Sequence, residues 1–446
     1  VNDAPPFGLA AASRARVLQR FAAPRAAGRP GRAALGDPAI RAELRLIRDG
    51  SAALGIENPY FRAHDGVAAA RTRIDGRDLL NFASYNYLGL NGHPAVVAAA
   101  KAAVDRYGTS VSASRVVSGE RPVHRALEAA LAALHGTEEC LAFVSGHATN
   151  VTAIGHLVGP GDTVVHDALA HNSAVQGAKL SGARRLAFAH NDLAALERLL
   201  AGLRGRAGRV LVVVEGHYSM DGDIIDLGRL AGLAHHHGAW LMVDEAHALG
   251  VLGGGGRGIA EQCGVDPGVV DIWMGTLSKT LAACGGYIAA SRDIVDYLRC
   301  SAPGFVYSVG LPAPLAAAAL AALEVMLAEP ARVASLRRNA GGFLAAARAA
   351  GLDTGTSVGA AIVPVLVGSS SGAARAANLL FREGINVPPI LHPAVPERAA
   401  RLRFFLSALH TPADIAAAVA ATAEAVRAAQ ARTVPAAALA AALRGA

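Results

Sequence analysis

Between residues 140 and 290, short apolar runs alternate with Ala- and Leu-rich stretches of helical length, and few folds accept that pattern. The runs fall at 140–144, 163–166, 209–214, 240–243, 272–274 and 287–290. Strands that are apolar throughout need cover on both faces, and strands joined through helices run parallel. The chain therefore reads as α/β, with a mostly parallel sheet covered by helices. Ahead of the sheet, 71–82 reads as a hairpin turning at Asp75-Gly76. Earlier still, 40–54 has helical spacing and leads into a turn at Asn58-Pro59-Tyr60-Phe61. After the sheet, Pro312 and Pro314 mark a boundary, followed by a long helix. A strand at 361–367 with helices at 372–381 and 412–429 then reads as a smaller α/β unit. A length of 446 residues suits more than one core. The expected division is an arm, helix and hairpin over 1–80, a large domain over 81–311 and a small C-terminal domain over 312–446.

Open α/β sheets bind ligands at the carboxyl ends of their strands, and polar residues collect there in this sequence. The run at 272–274 leads into Gly275-Thr276-Leu277-Ser278-Lys279-Thr280 and on to Gly285-Gly286. A lysine at the mouth of a buried strand is desolvated, which lowers its pKa and makes the amine nucleophilic. It can then form a Schiff base with a carbonyl cofactor, while Thr276 and Ser278 hydrogen-bond a phosphate. The plain alternative is a surface lysine in a strand-to-helix turn. Ser145-Gly146-His147-Ala148-Thr149-Asn150 is a small-residue turn opening a helix, which presents backbone N–H groups to an anion. His171, in Ala170-His171-Asn172-Ser173, could lie against an aromatic ring or simply start a helix. Glu215 to Asp223 is a loop crowded with polar groups.

Asp244-Glu245-Ala246-His247 invites a magnesium-dependent nucleotide hydrolase, but that needs a Gly-rich loop ending in Gly-Lys-Ser/Thr, and Lys279-Thr280 follows Ser278. A buried aspartate beside a protonated ring nitrogen fits better. His235-His236-His237 point in different directions on a helix, so they read as a helix C-terminus before Gly238 and not as a metal site.

Composition narrows the class further. With 52% hydrophobic and 17% charged residues the chain is globular, and Glu324 interrupts its most helix-like apolar run at 315–327. No apolar stretch suits a bilayer, and Asp3 and two prolines precede any apolar run, against a secretory signal. Cys140, Cys263, Cys284 and Cys300 show no close pairing and read as reduced core thiols of a cytoplasmic protein. The net charge of +7 is concentrated in Arg14, Arg16, Arg20, Arg25, Arg29 and Arg32. That arm reads as a solvated leader or linker, with docking to an acidic partner as the alternative. Nothing resembling a nucleic-acid motif accompanies it.

Taken together, these segments resemble the α-oxoamine synthase family of pyridoxal 5'-phosphate (PLP) enzymes, within the fold-type I aspartate aminotransferase superfamily. The resemblance spans about residues 81–411. It rests on Asn81-Phe82-Ala83-Ser84-Tyr85-Asn86-Tyr87-Leu88-Gly89-Leu90, on Gly108-Thr109-Ser110 through Arg115-Val116-Val117-Ser118-Gly119, and on Glu215 to Asp223. Val243-Asp244-Glu245-Ala246-His247, Thr276-Leu277-Ser278-Lys279 and Arg401-Leu402-Arg403 through Ser407-Ala408-Leu409-His410-Thr411 complete it. It implies a fold-type I PLP transferase, with a mostly parallel sheet in the large domain and a smaller C-terminal α/β domain. The implied reaction is a Claisen-type, decarboxylative condensation of an amino acid with an acyl thioester, giving an α-amino ketone.

By position, Lys279 matches the lysine that holds the cofactor and moves the α-proton, and Asp244 the carboxylate that keeps the ring nitrogen protonated. His171 matches the histidine stacked on the ring and placed to donate to the thioester or keto oxygen. His247 and Ser219 match groups near the ring hydroxyl. Gly146 and His147, by their backbones, with Thr276 and Ser278, would hold the phosphate. Ser308 matches a phosphate contact from the other subunit of a homodimer, and Arg403, assisted by Asn86, the group that grips the amino-acid carboxylate. The family usually has Phe or Tyr at His147 and often Gly within Ser112-Ala113-Ser114, which bears on acyl selectivity. Gly108-Thr109-Ser110-Val111-Ser112-Ala113-Ser114-Arg115 looks more like members attached to polyketide pathways, favouring an acyl carrier protein over coenzyme A as donor. The alternatives are an aminotransferase or lyase of the same fold and a non-catalytic PLP-fold subunit. Neither the amino acid nor the acyl length is readable.

Overall fold

The computed structural model describes residues 55–205 and 208–431; the arginine arm and the helix expected at 40–54 lie outside the described residues. Strands β1 (Arg71–Ile74) and β2 (Arg77–Asn81) form the expected hairpin, with Ile74 opposite Arg77. Asp75 (φ 51°) and Gly76 (φ 74°) take the left-handed conformation that a two-residue hairpin turn requires.

The main sheet contains β3 (Glu139–Phe143), β4 (Thr163–Asp167), β5 (Arg184–Phe188), β6 (Val210–Glu215), β7 (Trp240–Asp244), β8 (Ile272–Thr276) and β9 (Gly286–Ala290). Its order is β3-β9-β8-β7-β6-β4-β5. Neighbours from β8 to β5 are parallel, while β9 is antiparallel to both β8 and β3. The six expected strands are all present. The seventh, β5, was not expected: it lies at the sheet edge, begins with Arg184-Arg185 and is half-exposed. Alternate side chains of one strand enter opposite cores. Leu211 and Val213 join Met242 and Ile288 on one face, and Val212 and Val214 join Val243 and Trp273 on the other. Helices Gly146–Leu157 and Asn172–Leu180 cover the first face; Pro122–His135 and Leu227–His236 cover the second. Each fully buried aliphatic side chain contributes roughly 1.5–3 kcal/mol, which is why uninterrupted apolar runs become interior strands.

A smaller antiparallel sheet is built from β10 (Ile362–Leu366), β12 (Pro389–Ile390) and β13 (Arg401–Phe405), with β13 in the middle. The short β11 (Ile385–Asn386) pairs parallel with β2, so the N-terminal hairpin is completed by a strand from the far end of the chain. Helices Ala313–Ala328 and Ala331–Ala349 link the sheets and meet at 80°. Among the described residues, no single helix is long and apolar enough to cross a membrane. His235, His236 and His237 close the helix Leu227–His236, followed by Gly238.

The cysteines depart from expectation. All four are free, but only Cys140 is buried; Cys263, Cys284 and Cys300 are exposed. Cys263 and Cys300 sit on helices, where apolar neighbours in sequence do not fix which face a side chain takes.

Candidate active site

Strands β4, β6, β7 and β8 are adjacent, and their carboxyl ends bring the sequence-predicted residues together. Asp244 ends β7 directly opposite Glu215 at the end of β6, Lys279 follows β8, and His171 follows β4. Lys279 lines a cavity of about 490 Å³ together with Tyr85, Asn86, Ser278 and Cys284. Its Nζ lies 5.7 Å from the centre of the Tyr85 ring. Burial lowers the ammonium, the carboxylates of Asp244 and Glu215 raise it, and the balance falls at about 8. The amine is therefore partly neutral near physiological pH.

The Asp244 carboxylate is buried, with Oδ1 accepting from the Ala246 N–H (2.9 Å) and Oδ2 from Asn150 Nδ2 (2.8 Å). Burial and then the neighbouring Asp244 push Glu215 up to about 8. Glu215 Oε2 holds the Ser219 N–H at 3.1 Å, while Oε1 is buried without a partner. Arg403 reaches the same loop from β13: its Nη1 donates to the Ser219 carbonyl at 2.9 Å. Its guanidinium lies 4.6 Å over the Phe405 ring and its Nε is buried and unpaired. Among the described residues Arg403 has no carboxylate partner, unlike Arg401, which pairs with Asp221 at 2.6 Å.

His171 is the N-cap of its helix, with Nδ1 2.7 Å from Ser173 Oγ, as the helix-start reading expects. Its ring is exposed and edge-on to His147, with centroids 6.4 Å apart, leaving a face available to stack a flat ring. Burial of its inner edge and then the Lys279 charge lower the imidazole, against Asp244, so it is mainly neutral. His247 Nδ1 is bonded to the Tyr87 hydroxyl at 2.7 Å, and burial followed by Lys279 and Arg403 holds it well below the ordinary range. Both hydrogen-bonding ends of Asn86 already have partners, Nδ2 on the Ala68 carbonyl (2.7 Å) and Oδ1 on the Asn91 N–H (3.1 Å). One N–H and one lone pair remain for a ligand.

The helix Gly146–Leu157 starts against the end of β8. A Cβ at position 146 would come within 2.7 Å of Thr276 Oγ1, so only glycine allows this approach. Ser145 accepts the Ala148 N–H, whereas the Gly146 and His147 N–H groups find no acceptor among the described residues. Thr276 and Ser278 hydroxyls lie 2.8 Å apart beside that turn. Ser308 follows the short helix Pro303–Val306 and lines a small cavity with Val144 and Phe305. It is half-buried between exposed Tyr307 and Val309, and its hydroxyl donates only to the Val309 carbonyl.

The donor set fits PLP. Free N–H groups with two hydroxyls suit a phosphate, a buried carboxylate suits a protonated ring nitrogen, and a partly neutral amine suits a carbonyl carbon. Sequence reasoning gave no role to Asn150, Ser173 or Glu215. The available signal was weak: Asn150 lies one helical turn beyond Gly146, and Glu215 ends a strand.

A family model described as aminotransferase class I and II matches residues 77–421. The 8-amino-7-oxononanoate synthase of Geobacter sulfurreducens is 46% identical over 365 residues, which are 81% of this chain and 93% of that protein. The serine palmitoyltransferase of Sphingomonas wittichii superposes with a TM-score of 0.84 at 32% identity, covering 88% of this chain and 99% of its own. A second serine palmitoyltransferase structure, which holds PLP, superposes with a TM-score of 0.83 at 30% identity over the same shares.

Proposed function

The chain belongs to the α-oxoamine synthase family of PLP-dependent acyltransferases, and from that premise we propose that it condenses an amino acid with an acyl thioester, losing carbon dioxide and releasing an α-amino ketone. The observation that carries the reading within the site is Arg403, a buried guanidinium with an unpaired Nε and no carboxylate partner among the described residues. Such a group is costly unless an anion completes it, and the carboxylate of an amino acid is an anion of the right shape.

Bound PLP supplies an electron sink for negative charge at the amino acid's Cα. The Gly146 and His147 N–H groups with the Thr276 and Ser278 hydroxyls would hold its phosphate, and Asp244 its ring nitrogen. His171 would cover its face, with Ser219 and His247 at its hydroxyl. Arg403 orients the amino-acid carboxylate, assisted by Asn86. Lys279 Nζ, as the neutral amine, takes the Cα proton. The new bond joins Cα to the thioester carbonyl carbon, the C–S bond breaks with release of thiol, the carboxylate leaves as carbon dioxide, and a proton takes its place at Cα. His171 donates a hydrogen bond to the carbonyl oxygen as charge develops there.

Two acyl donors are favoured by different observations. The segment Gly108 to Arg115 and the arginine arm favour an acyl chain on a carrier protein, in polyketide-type natural-product biosynthesis. The Geobacter relative favours formation of 8-amino-7-oxononanoate, which needs alanine and an acyl group ending in a carboxylate. The test is to offer a panel of amino acids with matched coenzyme A and carrier-protein thioesters and to weigh the products. An amino ketone formed only when both substrates are present, with carbon dioxide released, supports the condensation. Conversion of the amino acid to its keto acid without use of thioester makes the protein an aminotransferase instead.

A further inference from the structure

A hydrogen-bond chain joins Asp244 to His171 through Asn150 and Ser173, neither of which has a role in the reading above. Asn150 Nδ2 lies 2.8 Å from Asp244 Oδ2 and 3.0 Å from Ser173 Oγ, and Ser173 Oγ lies 2.7 Å from His171 Nδ1. Asn150 and Ser173 are each 1% exposed. The chain exists because two helices touch: a Cβ on Gly177 would meet the Asn150 carbonyl oxygen at 2.7 Å. Ser173 is one turn before Gly177 on the same face, so the approach at glycine brings the serine hydroxyl to the asparagine amide.

Chemistry fixes the direction of every link. A carboxylate only accepts, so the group facing Asp244 is the amide nitrogen, and its second hydrogen goes to Ser173 Oγ. With that oxygen already accepting, the Ser173 hydroxyl hydrogen is free for His171 Nδ1. The Ser173 backbone N–H, 3.3 Å away, points to the same nitrogen. Nδ1 thus faces two donors and cannot carry a proton itself in the neutral ring. The amide assignment leaves Asn150 Oδ1 buried without a partner, which is costly.

We infer that Asn150 and Ser173 are positioning residues that lock His171 as its Nε2–H tautomer, tied to the Asp244 side chain, so that Nε2 is a ready donor to the substrate oxygen. The proposal deepens the reading above, because the donor role of His171 belongs to that reading. The lock itself is a property of the imidazole and can be read without turnover.

The holoenzyme with 15N-labelled histidine is examined by long-range proton–nitrogen correlation, with His171 assigned by loss of its signals in His171→Gln. The expected spectrum shows the proton on Nε2 in the wild type, a mixture of tautomers in Ser173→Ala, and recovery in Ser173→Thr, which restores the hydroxyl. Alongside, kcat for Ser173→Ala should fall roughly tenfold to a hundredfold, with the amino-acid KM changed far less. A wild-type His171 with its proton on Nδ1 overturns the inference without any variant having to fold, and so does an unaltered Nε2–H population in Ser173→Ala. If the tautomer behaves as stated but no thioester is ever condensed, the functional reading fails and the lock stands.

Discussion

Lys279 must be an amine before it can act, and its surroundings pull that balance both ways. Burial outweighs the two carboxylates and brings it to about 8 from an ordinary value of 10.5. Covalent capture of PLP by cofactor-free enzyme should therefore speed up as pH rises and level off above about 8; a midpoint near that of ordinary lysine would contradict the site geometry. Borohydride should fix the cofactor to Lys279, whereas Lys279→Ala should take up no reduced label and should not turn over. Asp244→Asn keeps the size of the side chain and removes its charge. Exchange of the amino acid's α-proton in deuterated buffer should slow by about a thousandfold or more, equivalent to about 4 kcal/mol of barrier. Both residues were legible because strand ends in a parallel sheet announce themselves. Asn150 and Ser173 were not, since their meeting depends on how closely two helices pack at Gly177, and no spacing along the chain encodes that distance.

The loop after β6 gathers Glu215, Ser219 and Asp223, and it is held at its far end by an imidazolium. His190 Nδ1 lies 2.9 Å from Asp167 and Nε2 lies 2.8 Å from Asp223, while Asn191 and Thr356 also reach Asp223. Burial alone would lower His190, but the bonds and charges of the two aspartates raise it to about 10. The folded-state value lies above the unfolded one, so this clamp stabilises fully below about 6.5 and fades as pH rises through about 10. His190→Gln should cost roughly 3 kcal/mol in urea unfolding at pH 6, because two carboxylates lose their counter-charge, and much less at pH 10.5. Equal losses at both pH values would assign the clamp to packing, including the edge-on Tyr218 ring 4.5 Å away, and not to charge. His190 follows β5, the one strand of the main sheet that the apolar pattern did not announce. An edge strand with two arginines and half-exposed positions satisfies its backbone through β4 alone, so it needs no continuous apolar run. The six interior or better-buried strands do need one, and were readable for that reason.

Across the whole molecule, one group of exposed apolar side chains surrounds Ser308. Tyr307 is 85% exposed, Val117 81%, Val116 55% and Val309 50%. The two segments are joined, since the Gly310 N–H bonds the Ala113 carbonyl at 2.9 Å. Exposed apolar side chains gathered on two hydrogen-bonded segments mark a candidate interaction surface. Its position could not be read from sequence, because a side chain's place on the surface depends on the rest of the fold. What the resemblance did imply is that Ser308 completes a phosphate site in a second copy. In a homodimer with crossed sites, Lys279→Ala and Ser308→Glu damage opposite halves of each site. Ser308 is half-buried and its hydroxyl bonds only the Val309 carbonyl, and a Glu there brings a charge that repels a phosphate. Mixed and re-equilibrated, half of the dimers are hybrids, and one of the two sites in each hybrid is intact. The mixture should regain about a quarter of wild-type specific activity, although each parent is nearly inactive. If Ser308 served its own chain, every site in every hybrid would carry a lesion and no activity would return. A wild-type enzyme that stays monomeric by light scattering while fully active would overturn the crossed site outright.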